Sequence, residues 1–152
     1  MGIPWLTLAS ILLVTALILL SWVDIRTGLL PDSLTLPLGW LGLIVNLDGM
    51  LTPLREAVLG AVFGYLILWS ANLTYRRIKG IDGMGYGDFK LIAALGAWFG
   101  IAMLPWIIIG ACIAGCGMVA AHRAAGRAPG PMPFGPCISV AGITALAFVF
   151  SR

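Results

Sequence analysis

Apolar residues in this chain fall into long runs separated by short polar breaks, and those runs organise it. Residues 3–23 are apolar or small and carry no charge; about 21 residues at ~1.5 Å rise each cover a hydrocarbon core of ~30 Å. With no Lys or Arg before this run and no small-residue cleavage site after it, it is expected to be a permanent span rather than a secretory signal. The run ends at Asp24. A polar stretch with Arg26, Gly28 and Pro31 follows, and residues 33–47 then form a short apolar segment. Pro37 falls near the first turn of that segment, where a missing N–H costs least, and Asp32 or Ser33 can cap it. After a turn around Asn46, Asp48 and Gly49, a third span covers residues 53–75 and stops at Arg76, Arg77 and Lys79. A fourth runs from Asp88 to about residue 104, a fifth over 105–121 and a sixth over 136–150. The pattern predicts an all-α polytopic membrane protein of about six helices, forming one transmembrane domain over residues 1–152.

Composition agrees with lipid as the main solvent: 61% of the 152 residues are hydrophobic and 10% charged, against about 25% charged in soluble domains. The net charge of +3 does not point to nucleic acid, because the nine Lys and Arg residues are scattered singly or in twos without a basic stripe. The three cysteines, Cys112, Cys116 and Cys137, lie in or beside apolar stretches and are expected as reduced packing residues. Cys112 and Cys116 share a helix face, but only the single His122 follows and no carboxylate is near, so neither a metal site nor a cofactor is predicted. Basic residues set the orientation, since Lys and Arg are retained on the cytoplasmic side. Arg26, Arg76, Arg77, Lys79, Lys90, Arg123 and Arg127 fall on one side, and Arg55 and Arg152 on the other. Both termini are thus expected in the periplasm, with Asp24, Asp88 and residues 123–136 at the cytoplasmic boundary. Gly60 and Gly64, in GxxxG spacing, fit close helix packing within the chain, and the same spacing would suit a homodimer.

Of six acidic residues, only Asp24 and Asp88 directly close or open a span. An ionisable group there costs a few kcal/mol and is a functional candidate by default, although a helix cap or an interfacial charge would also account for either residue. The stretch GMGYGDFKL, residues 83–91, favours function. Gly83, Gly85 and Gly87 give a backbone able to take positive φ and to approach another chain closely. Irregular backbone at membrane depth is tolerated only where protein or a wet cavity satisfies its polar groups. Two carboxylates sharing such a site cannot both ionise cheaply, so they hold one proton between them. The ionised member can take a proton from water as it attacks a carbonyl, while the protonated member hydrogen-bonds the carbonyl oxygen and supplies the leaving amine. The pair titrates as a unit, so neither residue is assigned the proton.

These residues carry a resemblance. GMGYGDFKLIAALGAWFG, residues 83–100, resembles the GxGD aspartyl-protease signature of type IV prepilin peptidases; DIRTGLLPDSLTLPL, residues 24–38, is similar to that family's first aspartate motif; and PFGP, residues 133–136, resembles its element in the last cytoplasmic loop. The resemblance implies catalytic roles for Asp24 and Asp88, loop shaping by Gly85 and Gly87, and supporting positions for Asp32 and Lys90. Asp32, the residue most easily confused with Asp24, is better placed as a helix cap, Lys90 as an interfacial anchor, and PFGP as a rigid turn without a direct catalytic part. The implied substrates are prepilins or pseudopilins with a short basic leader and a long apolar helix, cut at the cytoplasmic face of the bacterial inner membrane, with pilus or type II secretion assembly downstream. Larger relatives add an N-terminal cytoplasmic region with paired CxxC motifs, linked to methylation by S-adenosylmethionine; this sequence contains no CxxC pair, and the expectation is limited to cleavage. Two other classes compete: a small transporter or channel using the aspartates as cation or proton sites, and a structural membrane subunit whose glycines serve packing alone. No inverted repeat is visible, and neither class accounts for the glycine context of Asp88.

Overall fold

The computed structural model describes residues 2–126 and 132–151; Arg127 and Arg152 of the charge count, and residues 127–131 of the last expected loop, lie outside the described residues. The described residues form six α-helices and no strand: α1 (Gly2–Thr27), α2 (Asp32–Val45), α3 (Leu54–Lys79), α4 (Tyr86–Phe99), α5 (Leu104–Ala124) and α6 (Gly135–Phe150), with a 3-10 turn, Ile101–Met103, between α4 and α5. Three stretches, Trp5–Thr27, Leu54–Lys79 and Ile101–Ala124, are long and apolar enough to cross a membrane. Large apolar side chains such as Trp5, Trp40, Trp106 and Ile113 face outward, as a lipid-solvated surface requires.

Helix boundaries differ from expectation where local chemistry decides them. α1 continues to Thr27, so Asp24 lies within the last turn; Gly28, at φ 66°, closes the helix by donating its N–H to the Asp24 carbonyl at 2.8 Å. α3 runs on through Arg76, Arg77 and Lys79, whose charges suit a helix C-terminus, and stops at Gly80 in the left-handed region. α4 starts at Tyr86, two residues before Asp88, and ends at Phe99 because Gly100, at φ 79°, turns the chain. α2 has no side-chain cap: Pro31 takes the N-cap position, Asp32 turns to Lys90 instead, and Pro37 sits in the second turn.

The centre of the bundle is α4, with ten of its fourteen residues buried. α2 and α3 pack along one side of it and α6 along another, while α1 and α5 flank α6. Small residues set these distances. A Cβ on Gly60 would collide with the Gly96 carbonyl, one on Gly64 would come within 3.2 Å of the Ile92 carbonyl, and one on Gly42 within 2.6 Å of the Trp98 ring. The GxxxG pair is thus spent on α3–α4 packing. α1 and α6 run antiparallel, since Gly135 meets Asp24 while Gly142, two turns on, meets Leu17 and Leu95.

At the end of the bundle away from Asp24, the amide of fully buried Asn46 ties three segments together. Its Nδ2 donates to the Ala97 and Trp98 carbonyls at 2.9 Å each, and its Oδ1 accepts the Leu51 and Thr52 N–H groups at 3.1 Å each. The last carbonyls of α4 and the turn after α2 are satisfied by this one side chain, where water is not at hand to replace it. Replacing Asn46 by Leu should therefore cost about 3 kcal/mol or more, the penalty for several buried polar groups left unpaired, read as a lowered unfolding midpoint in detergent. Gly60→Leu should fail in the same assay for a steric reason, by forcing α3 off α4.

Candidate functional site

The two aspartates singled out by sequence arrive from opposite directions along the chain. Asp24 comes from the last turn of α1, and Asp88 from the first turn of α4. Both are nearly enclosed, at 5% and 9% exposure, and they lie close enough for their charges to interact. Cys137, at the start of α6, is within electrostatic reach of both, so three helix ends meet here.

Asp24 is held by the protein backbone. The Gly135 N–H donates to Asp24 Oδ2 at 2.8 Å, in a buried bond across 111 residues of sequence. Gly135 is the first residue of α6, where backbone N–H groups have no partner within the helix and the helix dipole favours negative charge. The packing leaves no room for a side chain: a Cβ on Gly135 would lie 2.6 Å from Asp24 Oδ2 and 3.2 Å from its Cβ. PFGP is thus more than a rigid turn, because its glycine donates to the carboxylate directly.

Asp88 is delivered by the glycine stretch, and of the two reasons expected for those glycines, positive φ and close approach, the structure shows the second. Gly83, Gly85 and Gly87 are absent from the positive-φ glycines, and Gly85 is extended at φ −69°, ψ 142°. What these positions need is space. A Cβ on Gly83 would lie 2.8 Å from the Tyr75 ring, and one on Gly87 would lie 2.7 Å from the Leu30 Cβ. Gly85, the N-cap of α4, faces the Asp88 carboxylate, and its carbonyl accepts the Asp88 N–H at 3.1 Å. Gly87 lets the start of α4 lie against Leu30, in the segment that leads from α1 to α2. Phe89, fully buried beside Asp88, is wedged edge-on between Tyr65 and Tyr86.

Asp32 and Lys90 are not part of this cluster but are joined to each other. Lys90 Nζ donates to both Asp32 carboxylate oxygens, at 2.6 and 2.7 Å, linking the first turn of α2 to the start of the second turn of α4. The helix cap expected of Asp32 is not made, and its carboxylate pairs with Lys90 instead. Beyond it lies a lateral cleft of about 300 Å³ lined by residues including Gly39, Trp40, Tyr65, Lys90 and Ala94. Neither aspartate lines it.

A residue that sequence reasoning passed over is Asn72, 7% exposed on α3. It contacts residues 82–84, directly upstream of Gly85. The signal available was an amide side chain in the uncharged run between Glu56 and Arg76.

Residues 11–120, which carry both aspartates, match the type IV leader peptidase family. The chain is 49% identical over 143 residues to a prepilin leader peptidase/N-methyltransferase of Burkholderia pseudomallei, covering 93% of this chain and 46% of that protein. It is 50% identical over 142 residues to the protein of the same name in Neisseria gonorrhoeae, covering 93% and 49%, and 44% identical over 147 residues to that of Pseudomonas aeruginosa, covering 95% and 51%. The chain therefore spans about half the length of the curated relatives it matches. No solved structure matches it. Three long apolar helices mark a membrane protein, and with a match over most of its residues and identities near one half, the chain belongs to the type IV leader peptidase family.

Proposed function

We propose that this chain is a membrane aspartyl endopeptidase that removes the leader from prepilin-like proteins, with Asp24 and Asp88 as the catalytic pair. The observation that carries the reading is that two nearly enclosed carboxylates, 64 residues apart in the sequence, lie within reach of each other's charge in a chain of the leader peptidase family. Water adds to the carbonyl carbon of the scissile peptide bond as one carboxylate takes its proton. The other, protonated carboxyl hydrogen-bonds the carbonyl oxygen, and the C–N bond then breaks with proton delivery to the departing amine. The Gly135 N–H keeps the Asp24 carboxylate in register, and the Gly85–Gly87 segment does the same for Asp88. The relatives are named for methyl transfer as well; for this chain the proposal is limited to peptide cleavage.

The orientation proposed is an inner-membrane one with the aspartates toward the cytoplasm. Its support is the basic residues that end α1, α3 and α5 on the side of the aspartates, namely Arg26, Arg76, Arg77, Lys79 and Arg123, against Arg55 opposite. A prepilin would then place its apolar helix among the spans and its basic leader in the cytoplasm, setting the scissile bond at the depth of the two carboxylates. The transporter reading gains nothing from the site, because both aspartates lie in terminal turns of helices rather than near the middle of a span.

With purified protein and a panel of prepilins, Asp24→Asn and Asp88→Asn should each lower the rate of leader removal by at least about 100-fold, since Asn keeps the size but cannot move the proton. Asp32→Asn should stay within a few-fold of wild type, because it breaks only an exposed ion pair. Near-normal turnover in either of the first two variants contradicts the pair assignment. Gly135→Ala should lower kcat by about 10- to 100-fold with KM little changed, as the added methyl displaces the Asp24 carboxylate. An unchanged kcat would show that the Gly135 contact does not set its position.

A further inference from the structure

The glycine stretch before Asp88 is costly to order. Gly80, Gly83, Gly85 and Gly87 fall within eight residues, and each glycine loses more backbone freedom on folding than any other residue type. Something outside the stretch must hold it, and Asn72 is bonded to it by every polar atom of its side chain. Its Oδ1 accepts the Gly83 N–H at 2.8 Å and the Met84 N–H at 3.2 Å, while its Nδ2 donates to Asp82 Oδ1 at 3.2 Å. The amide can face only one way, because two N–H groups need the oxygen and a carboxylate needs the nitrogen. The ring of Tyr75, one turn along α3, lies against Gly83 and forms the rest of the ledge. The Asp82 carboxylate is also approached by Arg76, at 3.9 Å.

We infer that Asn72 is a positioning residue of the site: it fixes residues 82–84 on α3 and so determines where Gly85 caps α4 and where Asp88 projects. This rests on the catalytic reading of Asp88 given above. Displacement by about 1 Å at a reacting group can cost on the order of 100-fold in rate, and one residue separates the Asn72-bound Met84 from Tyr86, the first residue of α4. The contact with Asp82 is what makes the arrangement testable apart from mere packing. Asn72→Asp keeps an oxygen for the Gly83 and Met84 N–H groups but sets a carboxylate against the Asp82 carboxylate. Adding Asp82→Asn to that variant exchanges the two partners and restores a donor–acceptor pair in the same place, at the expense of the solvent-exposed contact with Arg76.

The experiment compares wild type, Asn72→Asp, Asn72→Ala and the double variant Asn72→Asp/Asp82→Asn as purified full chains in detergent. It records kcat and KM for leader removal and the hydrogen exchange of the Gly83 and Met84 amides. Asn72→Asp and Asn72→Ala should lose about 10-fold or more in kcat with KM within about threefold, and both amides should exchange faster. The double variant should recover kcat to within about threefold of wild type and regain their protection. Wild-type kcat in both single variants, or a double variant no better than Asn72→Asp, overturns the inference. Exchange measured in an Asp88→Asn background separates the two claims: slow exchange that Asn72→Ala abolishes there shows the loop held by Asn72 whatever Asp88 does, and protection unaffected by Asn72→Ala there overturns the inference independently of catalysis.

Discussion

The contact of Gly60 with Gly96 fixes how closely α3 and α4 approach, and most of what the molecule does depends on where α4 lies. No side chain separates the two backbones at that point, so the pair gains the close van der Waals contact that drives helix association where lipid offers no hydrophobic preference. α4 is thereby drawn into the middle of the bundle, walled by α2, α3 and α6. A helix so enclosed can carry a carboxylate at its first turn in a setting shielded from lipid, with polar neighbours supplied by the ends of other helices. Asn46 secures the opposite end of the same helix, and Trp98 adds a bond from its Nε1 to the Leu38 carbonyl at 2.9 Å. The C-terminal end of α4 is thus clamped by bonds between side chains and main chain, and at its other end Asn72 holds the segment that leads into it.

Around that fixed helix the two carboxylates are held in different ways. Asp24 accepts a hydrogen bond from the first residue of α6, a donor whose position is set by a whole helix and whose lack of a side chain is itself a steric requirement. Asp88 depends on an irregular stretch, ordered from outside by Asn72 and by the close fit of Gly83 and Gly87 against Tyr75 and Leu30. One carboxylate held by a helix end and the other brought in by a loop would suit the proposed site, where an extended peptide enters and both acids then act on it.

Helix number, the membrane character, and the placement of Asp24 and Asp88 were legible in the sequence, because apolar runs of membrane length and acidic residues at their ends are one-dimensional features. The mutual contacts were not. Gly135 to Asp24, Asn46 to Ala97 and Asn72 to Gly83 are all bonds between a side chain and a main chain. Almost every residue type can supply the main-chain half of such a bond, so residue type alone does not name the partner. Asp32 and Lys90 could be recognised as charges near the site, yet their pairing depends on α2 lying beside α4, which the linear pattern does not specify. The glycines illustrate the other gap. Sequence allows both positive φ and close approach at Gly83, Gly85 and Gly87; the positive φ values occur instead at helix ends such as Gly28, Gly80 and Gly100, and Gly83 and Gly87 answer to crowding.

If two acids act as one catalytic unit, removing the second after the first should change nothing further, because effects of residues that work together are not additive. The most direct measurement is single-turnover leader cleavage by the Asp24→Asn/Asp88→Asn double variant beside each single variant. A double variant no slower than the more impaired single variant is the expected result; losses that multiply would mean that Asp24 and Asp88 act independently and that no proton is shared between them.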